Sequence, residues 1–195
     1  MIVSFYNDKV SKEVVEWQKK VFDKFGIELN QIKYGDMGGS TGHGTAIDDY
    51  LMNNEWDNIE IWDIDCIPLV PFYEDITLDG IYSIAQRASH IQGSTDYASP
   101  AFITFTMLDY ITMGFPSFKP TERSDTGGEI TFAAKANNIN VHLLYPTDCE
   151  QPMWQLDNGQ MFGLGTTYAN KIYHAFNGRF NQDMFIKKCK QVCAG

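Results

Sequence analysis

Apolar residues recur along this chain with two different periods, and the alternation between them predicts the architecture. Ile2 to Tyr6 is a short β-rich run ending on the turn formers Asn7 and Asp8. From Ser11 to Phe25, the residues Val14, Trp17, Val21 and Phe25 fall on one stripe at helical spacing, and Gly26 stops the helix. A second strand is expected at Ile27 to Lys33, a helix from about Thr45 to Asn53, and a third strand at Asn58 to Ile64. Further on, Ile81 to Ile84 and Ala101 to Thr106 read as strands, and Met107 to Met113 as a short helix ended by Gly114. Glu129 to Ala136 reads as a helix, Val141 to Leu144 as a strand, and Asn181 to Val192 as a closing helix. Strands alternating with helices through short links predict an α/β sheet with helices on both faces. No repeat, low-complexity tract or linker interrupts the pattern, so one domain spanning residues 1–195 is expected.

Composition narrows the function classes. With 44% hydrophobic residues, 13 Phe, 10 Tyr and 4 Trp, the chain can bury a substantial core. Its 25 Asp and Glu against 15 Lys and Arg give a formal charge of -10, a surface that repels a phosphate backbone, so nucleic acid is not an expected partner. A small phosphorylated ligand stays compatible, because a divalent cation can bring it to an acidic cleft. The cysteines Cys66, Cys149, Cys189 and Cys193 form no C-x-x-C pair and read as reduced thiols. The first residues carry no charged region followed by a long apolar stretch, so no signal peptide is read there. The longest apolar segment, Cys66 to Phe72, is short and twice broken by proline, well below the ~20 residues of a membrane span. A cytoplasmic protein with no transmembrane segment is expected.

The sharpest chemistry lies at Asn58-Ile59-Glu60-Ile61-Trp62-Asp63-Ile64-Asp65-Cys66-Ile67-Pro68-Leu69. An apolar strand runs into two aspartates separated by one residue, and a proline ends the segment. Ligands of open α/β sheets bind beyond the carboxyl ends of the strands, where two hard carboxylates can hold magnesium or manganese that also takes phosphate oxygens. The plain alternative is a turn with two solvated acids. The segment resembles the D-x-D motif of the GT-A-fold glycosyltransferases, which likewise follows a buried strand and precedes an apolar residue and a loop. The resemblance implies a GT-A-like mixed sheet flanked by helices. Its nucleotide-binding half, about residues 1–70, would end in the motif, and an acceptor half, about residues 71–195, would follow. It implies that Asp65 ligates the metal and that Asp63 shares the metal or holds the ribose of the nucleotide.

Other segments take roles from the same resemblance. Gly35 to Gly44 holds five glycines in ten residues before a helix, and glycines with a helix N-terminus admit an anion. It matches neither G-x-G-x-x-G nor the P-loop. Glycosyltransferases place a comparable His-Gly segment near the nucleotide sugar, so His43 and Asp48 become donor-pocket candidates, against the plain reading of His43 as a helix cap. His174, ending the apolar run before Ala175-Phe176-Asn177-Gly178, looks like the metal-binding histidine of many GT-A enzymes, although the Lys-Pro-Trp that follows in glycogenin-like families is missing. As a lone histidine it also reads as a half-buried strand residue. In Arg123-Ser124-Asp125-Thr126-Gly127-Gly128-Glu129, the acids four apart are candidates on the acceptor side. Asp125 is the candidate base that takes the attacking hydroxyl's proton, and Glu129 an acceptor contact, while a helix N-cap at Asp125 or Thr126 is the plain reading. Trp154, in the polar stretch Gln151 to Gly159, either caps the core or stacks on a sugar ring.

The function this implies is transfer of a sugar from a nucleotide-sugar donor, UDP- or GDP-linked, to a glycan or other hydroxyl acceptor, with Mn2+ or Mg2+ as cofactor. Two alternatives stay open. One is a non-catalytic domain of the same fold that binds nucleotide or glycan. The other is a haloacid dehalogenase-type phosphatase, in which Asp63 would be the nucleophile and Asp65 the acid/base. Against the phosphatase, sixty-two residues precede the acidic pair, and the central lysine, Lys135, lacks a following acidic pair.

Overall fold

The computed structural model describes residues 1–35, 39–71, 79–176 and 180–195. Part of the glycine-rich segment (36–38), the middle stretch 72–78 and residues 177–179 lie outside the described residues. In chain order the elements are β1 (Ile2–Tyr6), α1 (Lys12–Lys24), β2 (Asn30–Lys33), α2 (Gly39–Asn53), β3 (Asn58–Asp63), β4 (Cys66–Pro68), β5 (Ile81–Gln86) and β6 (Tyr97–Thr106). They continue with α3 (Met107–Thr112), α4 (Gly128–Ala136), β7 (Val141–Leu144), β8 (Pro146–Gln155), β9 (Met161–Tyr168), β10 (Ile172–His174) and α5 (Gln182–Ala194).

Two sheets result. The larger has six strands in the order β2-β1-β3-β6-β5-β7. β1 runs parallel to β2 and β3, β6 runs antiparallel to β3 and β5, and β5 runs parallel to β7, so the sheet is mixed. Its inner strands β1, β3, β6 and β5 are mostly buried and alternate between two cores. Trp62 and Phe102 point to one face with Val14, Phe22 and Phe185. Ile59, Ile61, Ile103 and Phe105 point to the other with Ile47, Leu51 and Ile130. This is the period-2 geometry of a strand covered on both sides by helices.

The smaller sheet, antiparallel in the order β4-β10-β9-β8, holds the largest departure from expectation. The stretch 146–155 is not predicted as a strand because its mostly polar sequence shows no apolar alternation and prolines stand at 146 and 152. It is the edge strand of its sheet, where proline is tolerated. Trp154 therefore lies on β8 rather than in a polar loop. α2 also begins earlier than expected, at Gly39, and so absorbs the described end of the glycine-rich segment. Position 44, inside this helix, takes a glycine because a Cβ there would lie 2.6 Å from the Phe118 carbonyl oxygen. β2 starts three residues late, since Ile27 and Leu29 are drawn into the core under α1 before the strand begins. Among the described residues no helix is long and apolar enough to cross a membrane.

Candidate active site

The acidic pair sits at the seam of the two sheets. β3 delivers Asp63 beyond its last buried residue, in register with Phe5 of β1. Three residues later Cys66 opens β4, which pairs with β10 in a register that sets His174 opposite Cys66. The Ala175 N–H donates to the Asp65 carbonyl at 2.9 Å and locks that register where the two chains meet. The imidazole thus arrives beside the carboxylates from 109 residues further along the chain. His174 Nε2 lies 3.4 Å from Asp65 Oδ1 and 4.0 Å from Asp63 Oδ2. One ligand atom from each of Asp63, Asp65 and His174 lies within 4.8 Å of the others.

Two buried glutamines hold this arrangement. Gln18 occupies the inward face of α1 between Val14 and Val21 and is fully buried. Its Nε2 donates to the carbonyls of Asp63 (2.8 Å) and Cys66 (3.0 Å), bracketing the acidic turn, while its Oε1 accepts from Gln31 Nε2 (3.0 Å). Gln86, at the end of β5, has its amide 3.2 Å from His174 Nδ1. For Nε2 of His174 to ligate a metal, Nδ1 carries the proton and Gln86 accepts it through Oε1, an orientation one half-turn of the amide provides. Neither glutamine stands out in the sequence. The signal that would have found Gln18 is a polar residue at an inward position of the α1 apolar stripe.

The electrostatics are those of a site short of positive charge. Burial, then the neighbouring Asp65 charge, push the Asp63 carboxyl above its ordinary range, while His43 and His174 pull the other way. Burial disfavours the His174 imidazolium, yet the Asp65 and Asp63 carboxylates outweigh it and raise His174. His43 Nε2 is 3.3 Å from Asp63 Oδ1 but out of hydrogen-bonding alignment, and both atoms are buried without a hydrogen-bond partner among the described residues. Buried polar atoms are paired in the great majority of cases, so an orphaned carboxylate oxygen here marks a place for a ligand. Two carboxylates and an imidazole suit manganese or magnesium, which would relieve the like-charge contact.

Around the triad runs a cleft of about 270 Å³, whose lining includes Tyr6, Tyr34, His43, Tyr97, Asp125 and Phe176. His43 stacks on Tyr34, with centroids 6.1 Å apart and planes 13° apart. Asp125 reaches the cleft from the loop before α4, with its Oδ1 accepting from the Thr126 N–H at 2.8 Å. The cap of α4 is neither Asp125 nor Thr126 but Gly127, whose φ of 79° brings the helix up against Pro100. Burial, then the Asp125 charge, push the Tyr97 phenol well up, so it faces the cleft as a neutral hydroxyl.

Two sequence candidates are placed elsewhere. Asp48 does not line the cleft. Its carboxylate accepts from Ser117 Oγ and from the Phe118 N–H (2.7 Å), which ties down the loop after α3. Glu129 faces away from Asp125 because α4 starts too late for the two to share a side. Its carboxylate pairs with Arg123 and accepts from Thr121 (2.7 Å) and Ser124 (3.0 Å), and the Arg123 contact leads these in holding it down at about 2. Lys135, which the phosphatase alternative requires, is exposed on α4 and outside the cleft. Sequence reading missed Gln18, Gln86, Tyr97 and Phe176.

The sequence matches no protein-family profile and no curated protein. Its structure is similar to the catalytic domain of Drosophila beta1,4galactosyltransferase 7 in complex with xylobiose, with a TM-score of 0.55 at 11% identity over 92% of this chain and 71% of that one. A mutant of the same enzyme in complex with manganese, UDP-Gal and xylobiose aligns with a TM-score of 0.52 at 11% identity, over 93% of this chain and 73% of that one. At that identity the likeness establishes the fold alone: this chain has the GT-A-like mixed sheet flanked by helices.

Proposed function

We propose that this protein is a metal-dependent glycosyltransferase that moves a sugar from a nucleotide-sugar donor to a hydroxyl acceptor. The observation that carries the reading is the convergence of Asp63, Asp65 and His174 at the strand ends of a transferase fold, with ligand atoms within 4.8 Å of one another. These three residues would hold Mn2+ or Mg2+, and His43 with Asp63 would face the donor. A divalent ion bound there supplies charge to neutralise the departing nucleoside diphosphate. The donor side is formed by elements up to β4, and the acceptor side by the later residues that reach the same cleft. A UDP-sugar is the favoured donor, supported by UDP-Gal and manganese in the neighbouring galactosyltransferase complex.

Asp125 is the base. The acceptor hydroxyl loses its proton to the Asp125 carboxylate as its oxygen bonds the donor's anomeric carbon, and the bond from that carbon to the diphosphate oxygen breaks with its electron pair. Glu129 has no part in this step, because its carboxylate is committed to Arg123, Thr121 and Ser124.

Calorimetry with UDP and GDP, with and without manganese, tests the reading. The expected result is metal-dependent nucleotide binding that Asp65→Ala abolishes, together with slow hydrolysis of a nucleotide sugar by the unmodified protein. Binding of neither nucleotide would refute it, and binding without any turnover would leave a non-catalytic domain.

A further inference from the structure

The β8–β9 hairpin brings an aromatic cluster to the metal side of the cleft. Trp154 on β8 packs against Phe162 of β9 (5.4 Å between centroids) and against Phe176 (4.8 Å). Phe162 is buried and Trp154 stands behind, so among the described residues Phe176 is the member of this cluster that lines the cleft. Its ring meets His174 edge-on, at 5.6 Å and 68°. The hairpin is fastened from below. Asp157 Oδ1 accepts from Arg87 (2.8 Å) and its Oδ2 from the Asp96 N–H (3.0 Å), while Asp96 accepts from the Asp157 N–H (3.0 Å). The platform is therefore rigidly backed.

The backbone at Phe176 is unusual as well. Its φ is 56°, in the left-handed region where glycine or asparagine sits at little cost and a bulky side chain does not. A half-buried phenyl ring held there, beside a candidate metal site and in the same cleft as Asp125, is strain of the kind that gathers at functional sites. A pyranose matches such a wall. One ring face is rich in C–H groups and stacks on an aromatic surface, while its hydroxyl rim needs polar partners. Asp125 and Tyr97 supply polar groups in the same cleft.

We propose that Phe176, backed by Trp154 and Phe162, is the platform on which the C–H face of an acceptor pyranoside rests. The inference rests on the glycosyltransferase reading and deepens it by naming the acceptor class. The test is saturation-transfer NMR with the methyl β-glycosides of glucose, galactose and xylose, on the full chain in the presence of UDP and diamagnetic magnesium. For at least one glycoside, the transfer is expected to concentrate on the protons of one ring face. Phe176→Ala should weaken that binding about five- to tenfold and erase the face preference, and Phe176→Tyr should restore both. Phe176→Gly suits the left-handed backbone and serves if the alanine variant fails to fold. Calorimetric affinity for manganese and UDP is the reference reading: it should fall less than glycoside affinity in every variant, because the ring packs on His174 but is not itself a ligand. Undiminished glycoside binding in Phe176→Gly, an even spread of saturation, or no glycoside binding beside normal manganese–UDP binding would overturn the platform and leave the metal-nucleotide reading standing. Failure of the unmodified protein to bind manganese and UDP would overturn both.

Discussion

The two sheets build one site from materials of very different legibility and rigidity. The six-stranded sheet is covered on both faces, and its strand β3 carries Asp63 out of a continuous buried run. The four-stranded sheet is covered by less, and its edge strand β8 is mostly exposed. Yet His174 belongs to the small sheet, and β4 hands the chain from one sheet to the other immediately after Asp65. The large sheet thus fixes the acidic half of the triad and the small sheet the imidazole. Each half has its own buried glutamine, Gln18 for the acidic turn and Gln86 for the histidine. A metal centre at such a seam would depend on the registers of both sheets, which pack around one shared core.

The largest effect that probes this division is on chemistry alone. Asp125→Asn should reduce turnover of a nucleotide sugar by about 10²- to 10⁴-fold while leaving manganese–UDP affinity unchanged, as read by product assay beside calorimetry. Equal loss of both would mean that Asp125 belongs with the ligands and not with the acceptor. Next come the two glutamines. Gln86→Leu should weaken manganese binding by about 10- to 100-fold, the usual cost of losing a partner that orients a metal-bound histidine, with little change in melting temperature. Gln18→Leu should weaken manganese binding by roughly tenfold and also lower stability by about 2 kcal/mol, because it leaves two buried carbonyls without their donor. If Gln18→Leu changes stability alone, the acidic turn is fixed by its strands and not by the α1 side chain.

The smallest effect concerns the acid outside the cleft. Glu129 is held down from its usual 4.5 to about 2 by Arg123 first. A carboxyl lowered in the fold adds stability above its unfolded value, and that stability fades as pH falls from about 4.5 toward 2. The exposed Arg123 limits the contribution to about 1 kcal/mol. Glu129→Gln should therefore flatten the acid limb of the stability curve in denaturant titrations and leave nucleotide-sugar turnover intact. A turnover loss like that of Asp125→Asn would return Glu129 to the site.

Much of the large sheet was legible because its elements obey simple periods. β1 and β7 lie within the predicted boundaries, and the run into Asp63 and Asp65 announces itself by apolar alternation broken by acids. The small sheet was hidden for identifiable reasons. β8 is an exposed edge with two prolines, and β9 carries Gly163 and Gly165, which dilute its pattern. The Asn158-Gly159 pair between them is a hairpin signal that the polar stretch around Trp154 obscured. Asp48 is a candidate through the resemblance of its segment and Glu129 through its spacing from Asp125, and neither signal tells which side of a helix meets the cleft. Asp48 is turned to the loop after α3, and Glu129 to Arg123. Gln18 and Gln86 act through backbone and imidazole partners 45 and 88 residues away, contacts no local pattern encodes.

The central claim is that residues from both sheets share one metal ion. Pulsed electron paramagnetic resonance of the manganese-loaded protein tests it directly, by reading the nitrogen coupling of a bound imidazole. The account predicts a single-histidine coupling that persists in His43→Gln and disappears in His174→Gln, with manganese affinity falling in the second variant alone. A nitrogen coupling that survives His174→Gln, or none in the unmodified protein, would contradict it.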